Sequence, residues 1–221
     1  MADYGIFDVM GPIMIGPSSS HTAGAVRIGR LAKKMCGKDF IKVTFYLHGS
    51  FAETYLGHGT DKALVAGVLG MMPDDERIRH SFEIAKQNNI PFKFIKTDLG
   101  DVHPNSVKVE MEYKDGRISH IIGSSIGGGN IKIIDVDGLK ADFTNEFPTI
   151  ILKYTEQKGV ISFVSTLLAE NGYNIEKMLT DKSDGVVTLL VDISEEVDDD
   201  IKSQILHNDR FLLTKYISGG Y

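Results

Sequence analysis

Five consecutive positions, Ser18-Ser19-Ser20-His21-Thr22, hold four hydroxyls and one imidazole, with Gly16-Pro17 just before them. A helix-compatible run from Ala23 to Cys36 follows at once. Pro17 stops structure in the preceding apolar segment from running through, so the hydroxyls fall at a helix start. The first amides of a helix lack internal partners and the dipole is positive there, which suits a carboxylate or a phosphate. A self-capping start carries Glu or Gln three residues after its cap serine. Here Ser18 is followed at that spacing by His21, and Ser19 by Thr22. The pattern predicts an anion site with a titratable base beside it, weighed against the plainer reading of a serine-rich cap.

Three further segments could carry chemistry. Gly49-Ser50-Phe51-Ala52 leads to Gly57-His58-Gly59-Thr60-Asp61, where two glycines around a histidine permit close backbone approach to a ligand. Thr60 is placed to cap the next helix, and Asp61 lies in its first turn. In His103-Pro104-Asn105 the proline holds His103 extended, and Asn105 offers an amide donor and acceptor. Ser124-Ser125-Ile126-Gly127-Gly128-Gly129-Asn130 reads as a bulge, a turn or a ligand approach. It lacks the Lys-Ser/Thr pair of a phosphate-binding loop. His21, His58 and His103 are the candidate acid/base groups. Ser18, Ser19, Ser20, Thr22, Thr60, Asp61 and Asn105 are the candidate binding groups. The seven histidines show no helical metal-ligand pair, and no G-x-S-x-G elbow marks a hydrolase.

The elements that must position these groups mix helix and strand. Alternation predicts a strand over Ile41–Leu47, then a glycine-interrupted connector. A helix follows over about Thr60–Met72 and another from Pro73-Asp74-Asp75 to Asn88. Strands are expected over Phe92–Thr97, Ser106–Tyr113, Ile118–Ile122, Ile131–Asp135 and Leu139–Phe143. Beyond Thr144-Asn145-Glu146 the order changes to strand, helix, strand, strand, helix, strand: Thr149–Thr155, Gly159–Glu170, Asn174–Thr180, Val186–Asp192, Val197–Leu206 and Phe211–Ile217. That βαββαβ order is ferredoxin-like, and the class is α+β with domains at 1–144 and 148–221.

Composition narrows the function. The 221 residues are 42% hydrophobic with a net charge of −6, and no Lys/Arg stripe marks a nucleic-acid binder. No apolar run approaches the roughly 20 residues of a membrane span, and the first residues lack a signal-peptide pattern. A cytoplasmic protein is expected. The one cysteine, Cys36, reads as a buried thiol and cannot hold a thiolate-ligated cluster by itself.

Gly16-Pro17-Ser18-Ser19-Ser20-His21-Thr22, Gly57-His58-Gly59-Thr60-Asp61 and His103-Pro104-Asn105, in that order ahead of a βαββαβ unit, resemble the beta subunit of the iron–sulfur-dependent bacterial L-serine dehydratases. The resemblance implies that the first part is an α/β domain of the allosteric substrate-binding type, shared with one type of phosphoglycerate dehydrogenase. It implies that the second part is an ACT domain, with a regulatory loop at Gly159-Val160-Ile161 close to Asn174-Ile175. The substrate would be L-serine, and the [4Fe–4S] cluster would sit on an alpha subunit, with none bound by this chain alone. A beta-chain homodimer through the ACT domain is expected. Either the three histidine segments contribute to the active site, or the chain is a purely regulatory anion- or amino-acid-binding module.

Overall fold

The computed structural model describes residues 13–220 apart from residue 38. The chain divides between Gly138 and Leu139 into two compact units.

The first unit opens on a wide, π-helical turn, Ser19–Gly24, that runs straight into α1 (Ala25–Cys36). Then come β1 (Phe40–Leu47), α2 (Gly49–His58), α3 (Thr60–Leu69), a 3-10 turn (Glu76–His80), α4 (Ser81–Gln87) and β2 (Phe92–Lys96). The unit closes with β3 (Ser106–Tyr113), β4 (Ile118–Gly127) and β5 (Asn130–Val136). Its strands lie in the order β2-β1-β3-β4-β5. Only the β1–β2 pair is parallel, and such a pair needs a crossover, which α2, α3 and α4 supply.

Three expectations for this unit change. Val43, Phe45 and Leu47 are buried as the alternation requires, but Ile41 is 40% exposed, because the β1–β3 register slips between Phe40 and Lys42. The stretch expected as a glycine-interrupted connector is the helix α2. Its run from Ser50 to Leu56 tolerates helix, and Gly59, left-handed at φ 70°, ends it and begins α3. Strand β4 runs five residues past Ile122. Ser124 and Ser125 stay paired with Lys132 and Ile131, so only Gly128 and Gly129 form the turn.

Two glycine contacts set α1 in place. A Cβ on Gly123 of β4 would lie 3.0 Å from the Ile28 side chain, so α1 rests directly on the strand there. Gly29 of α1 faces Gly67 of α3, where a Cβ on Gly67 would meet the Val26 carbonyl at 2.2 Å. Buried Val26, Ile28, Leu31 and Ala32 of α1 supply the apolar face that holds these layers. Cys36 is buried at the end of the same helix, and the Tyr113 hydroxyl donates to its carbonyl.

The second unit begins with β6 (Leu139–Phe143). Lys177 Nζ reaches the Asp142 carbonyl at 2.7 Å within this unit. Then come β7 (Thr149–Thr155), α5 (Val160–Glu170), β8 (Ile175–Ser183), β9 (Val186–Ile193), α6 (Asp199–Leu206) and β10 (Leu213–Ile217). Strand order β10-β7-β9-β8, antiparallel at every pair, is the ferredoxin-like arrangement that the βαββαβ pattern predicts. Val187, Leu189, Val191 and Ile193 alternate on the helix-facing side of β9 and pack with Val164, Leu168 and Ile205. On the other side Thr149 Oγ1 donates to the buried Asp192 carboxylate at 2.7 Å. Among the described residues, no helix is long and apolar enough to cross a membrane.

Candidate functional site

Ser18 has an extended backbone, and its hydroxyl accepts from the His21 amide at 3.3 Å, so it is the cap that the sequence indicates. In place of a capping-box carboxylate, the imidazole of His21 folds back, with Nδ1 3.4 Å from Ser18 Oγ. The amides of Ser19 and Ser20 have no hydrogen-bond acceptor among the described residues, and both residues are half-buried. Thr22 is buried, and its hydroxyl has no partner.

His21 is 9% exposed. Its Nε2 lies 3.0 Å from Thr54 Oγ1 and 3.4 Å from Ser50 Oγ, both on α2. Its ring meets Phe51 edge-on at 5.2 Å and the exposed His58 at 4.7 Å between centroids. Burial holds the His21 pKa below the ordinary imidazole value, and a charge on His58 would lower it further. The lowering favours the neutral imidazole, the form that can accept a proton.

The other polar segments converge on the same end of α2. Pro104 packs against Gly49, where a Cβ would lie 2.6 Å from the Pro104 carbonyl, and that carbonyl accepts from the Phe51 amide. Gly49 is left-handed at φ 52°, so both contact and backbone require glycine. The Ser125 amide donates to the Asn105 carbonyl at 2.9 Å. Ser125 Oγ is buried and unpartnered against Gly24 of the wide turn, where a Cβ would lie 2.1 Å from it. Arg27 on α1 donates to the Gly129 carbonyl at 2.6 Å, tying the glycine-rich hairpin to the same corner. A cavity of about 610 Å³ beside Phe82 and Phe92 contains none of these residues.

Several roles differ from expectation. Gly57 lies inside α2 with open space beside it, and Gly59 serves the break between helices. Gly59, not Thr60, is the N-cap of α3, and the buried Thr60 hydroxyl has no partner. Asp61 accepts from the Lys62 amide at 2.8 Å, and no hydrogen bond joins it to His58. The amide that orients His103 is the backbone N–H of Asn105, which donates to Nδ1 at 3.1 Å. His103 itself is exposed.

Asp61 is 6% exposed, and burial raises its pKa. A carboxyl whose folded pKa is raised binds its proton more tightly when folded, so its contribution to stability is present at low pH and lost as pH rises through the folded value. Asp61→Asn removes that dependence. We expect the urea midpoint of the variant to gain on wild type as pH is raised from 4 to 7; a constant difference across that range would show that the carboxyl is not desolvated.

In the second unit, Gly159 is left-handed at φ 86° and caps α5, Val160 is buried in the core and Ile161 is 46% exposed. Asn174 donates to the Glu176 carboxylate at 3.0 Å, and Ile175 packs on the core. The two segments are not close. β7 and β8 both run antiparallel to β9, so they are parallel to each other. Gly159 follows the end of β7 beside the Gly185 turn, whereas Asn174 precedes β8 beside Ser194, at the opposite end of the sheet.

Sequence reasoning misses Thr54 and names Ser50 and Ser125 only within their segments, with no role for either side chain. The signal was present as the four-residue spacing Ser50, Thr54, His58, one helix face, but it is visible only once residues 49–58 are taken as helix.

The serine dehydratase beta chain family model matches residues 5–93. The L-serine dehydratase beta chain of Peptoniphilus asaccharolyticus is 51% identical over 98% of this chain and 99% of its own length. The probable L-serine dehydratase beta chain of Bacillus subtilis is 38% identical over 90% and 91%. L-serine dehydratase 1 of Escherichia coli is 28% identical over 70% of this chain and 40% of its own length. Among solved structures, the ACT domain from GTP pyrophosphokinase of Chlorobium tepidum overlaps 34% of this chain and 88% of its own, at 13% identity and a TM-score of 0.28, too slight a likeness to bear on the fold. With two beta-chain relatives matched over at least 90% of both chains, the chain belongs to the family of L-serine dehydratase beta chains.

Proposed function

We propose that this chain is the beta subunit of an L-serine ammonia-lyase, which converts L-serine to pyruvate and ammonia, and that it supplies binding groups and a proton-transfer imidazole at the seam with an alpha chain. The observation that carries this reading is the buried His21 imidazole at a hydroxyl-rich helix start.

The reaction makes a specific physical demand on this corner. The α-hydrogen of an amino acid is weakly acidic beside a carboxylate. As it leaves, charge builds on that carboxylate, and preorganised N–H and O–H donors stabilise it. The open amides of Ser19 and Ser20, with the Thr22 hydroxyl, receive the carboxylate. His21 takes the α-proton, and His58, at ring contact, is the next group along. Asp61 pairs with the substrate ammonium, and Asn105 completes the polar rim. Loss of water from the β-carbon leaves an enamine, which rearranges to an imine and hydrolyses to pyruvate and ammonia.

The residues present do not fit the family's [4Fe–4S] cluster. Cys36 is the chain's one cysteine, and it is buried in α1. Among the described residues, no group of three His, Cys, Asp or Glu could hold a metal ion. The cluster belongs on the alpha chain in this reading, and no step on this chain is routed through it.

We read the second unit as an ACT domain that pairs two beta chains. Because Gly159–Ile161 and Asn174–Ile175 lie at opposite ends of one sheet, a ligand touching both sets must bridge two copies. The test is assembly. The purified chain is expected to show no serine turnover, and co-expression with a cysteine-rich alpha chain to confer it. Turnover by the chain alone, or none from the assembled pair, overturns the reading.

A further inference from the structure

We infer that Thr54 is a positioning residue that holds His21 as the Nε2–H tautomer, leaving Nδ1, on the Ser18 side, as the nitrogen that accepts a proton. The inference rests on the reading of His21 as the proton-transfer group.

A count of hydroxyl protons fixes the tautomer. A threonine hydroxyl has one proton to give and two lone pairs to receive with. Thr54 Oγ1 sits 2.7 Å from the Ser50 carbonyl, one helical turn back on α2, and a carbonyl can only accept. The single Thr54 proton is therefore committed to Ser50. The remaining contact of Thr54 Oγ1, 3.0 Å to His21 Nε2, is then satisfied only if the imidazole donates. Donation from Nε2 leaves the Nδ1 lone pair bare in the neutral ring. On that side Ser18 Oγ already accepts from the His21 amide, which leaves the Ser18 proton free to face Nδ1 at 3.4 Å. The Ser18 end accommodates the tautomer that Thr54 selects. Ser50 Oγ, 3.4 Å from Nε2, is a longer second acceptor for the same N–H.

The orientation has a consequence for the reaction. The basic nitrogen faces the wide turn, where Ser18 to Thr22 gather their donors, and not the α2 side. The opposite tautomer would turn the lone pair toward Thr54, away from the hydroxyl-rich start. Thr54 touches no substrate in this scheme; it acts through the ring.

The test reads the tautomer directly. The full chain is labelled with ¹⁵N-histidine, and long-range ¹H–¹⁵N spectra are recorded above the His21 pKa, the His21 signals being identified by their loss in His21→Asn. The expected result is a protonated, pyrrole-type Nε2 and a pyridine-type Nδ1. In Thr54→Val the Nε2–H population falls, and in Thr54→Ser it is restored. In the enzyme assembled with an alpha chain, Thr54→Val lowers kcat about tenfold or more with KM within threefold, and Thr54→Ser recovers it. A pyrrole-type Nδ1 in wild type, or an unchanged pattern in Thr54→Val, overturns the inference. Should Thr54→Val fail to fold, the wild-type spectrum decides. If the assembled His21→Asn enzyme turns over normally, the proton-transfer reading falls, and the positioning role falls with it even where the spectrum shows Nε2–H. An inactive His21→Asn with a pyrrole-type Nδ1 in wild type removes the inference and spares the reading.

Discussion

Replacing His21 by alanine in the enzyme assembled with an alpha chain should lower kcat about 10²- to 10⁴-fold, the usual range for removal of a positioned acid/base group. The wild-type profile carries a second signature. A general base must be neutral, so activity falls on the acid side as the imidazole protonates. Burial and His58 hold the His21 pKa below the ordinary value, so the acid limb of kcat/KM should lie lower in pH than a free imidazole would place it. His58→Ala removes the neighbouring charge and should move that limb toward higher pH. Turnover of His21→Ala within threefold of wild type would remove the proton-transfer role. If effector dependence changed while maximal rate held, the chain would be a regulatory module.

The largest effect on stability is expected at Gly67. A Cβ there meets the Val26 carbonyl at 2.2 Å and the Arg30 amide nitrogen at 2.9 Å. Both are backbone atoms of α1, which cannot swing aside as a side chain can. Gly67→Val therefore forces α1 and α3 apart, at a cost of about 3 kcal/mol or more. The urea midpoint should fall by about 1 M or more. Gly57→Ala is the matched control, because nothing lies within 4 Å of its Cβ position in α2. It should hold or raise the midpoint, since alanine loses less backbone freedom on folding. Equal midpoints for Gly67→Val and wild type would mean that the helices do not cross where the glycines place them.

Much of this was legible in the residues. Ser18 caps as its position indicates, and the ferredoxin-like order follows from period-two strands set between helical runs. Strand Ser106–Tyr113 has the predicted bounds because alternating Val107, Val109 and Met111 must all face one core. The misreadings share a cause. Glycine reads as a breaker at residues 49–59 and again past Ile122, but neighbouring helix formers override it in the first place and tertiary packing in the second. Gly57 is carried by the flanking helix formers, and Gly123 is selected because Ile28 leaves no room for a side chain. The exposure of Ile41 depends on a register slip against β3, which involves residues some 70 positions away and leaves no local trace. The separation of Gly159 from Asn174 was in principle derivable from strand polarity, because two strands that both oppose a third must point the same way.

The wide turn at Ser19–Gly24 has a geometric consequence of its own. In an ordinary helix each residue advances about 100° around the axis, so the azimuth of a rim side chain is locked to that of every buried one below it. An extra residue in the first coil breaks that lock. The stripe of α1 that beds on Gly123 and Gly67 can keep its phase while the Ser18–Thr22 rim takes another. Deleting one residue from the turn would swing the rim by about a quarter of a revolution without disturbing the bed.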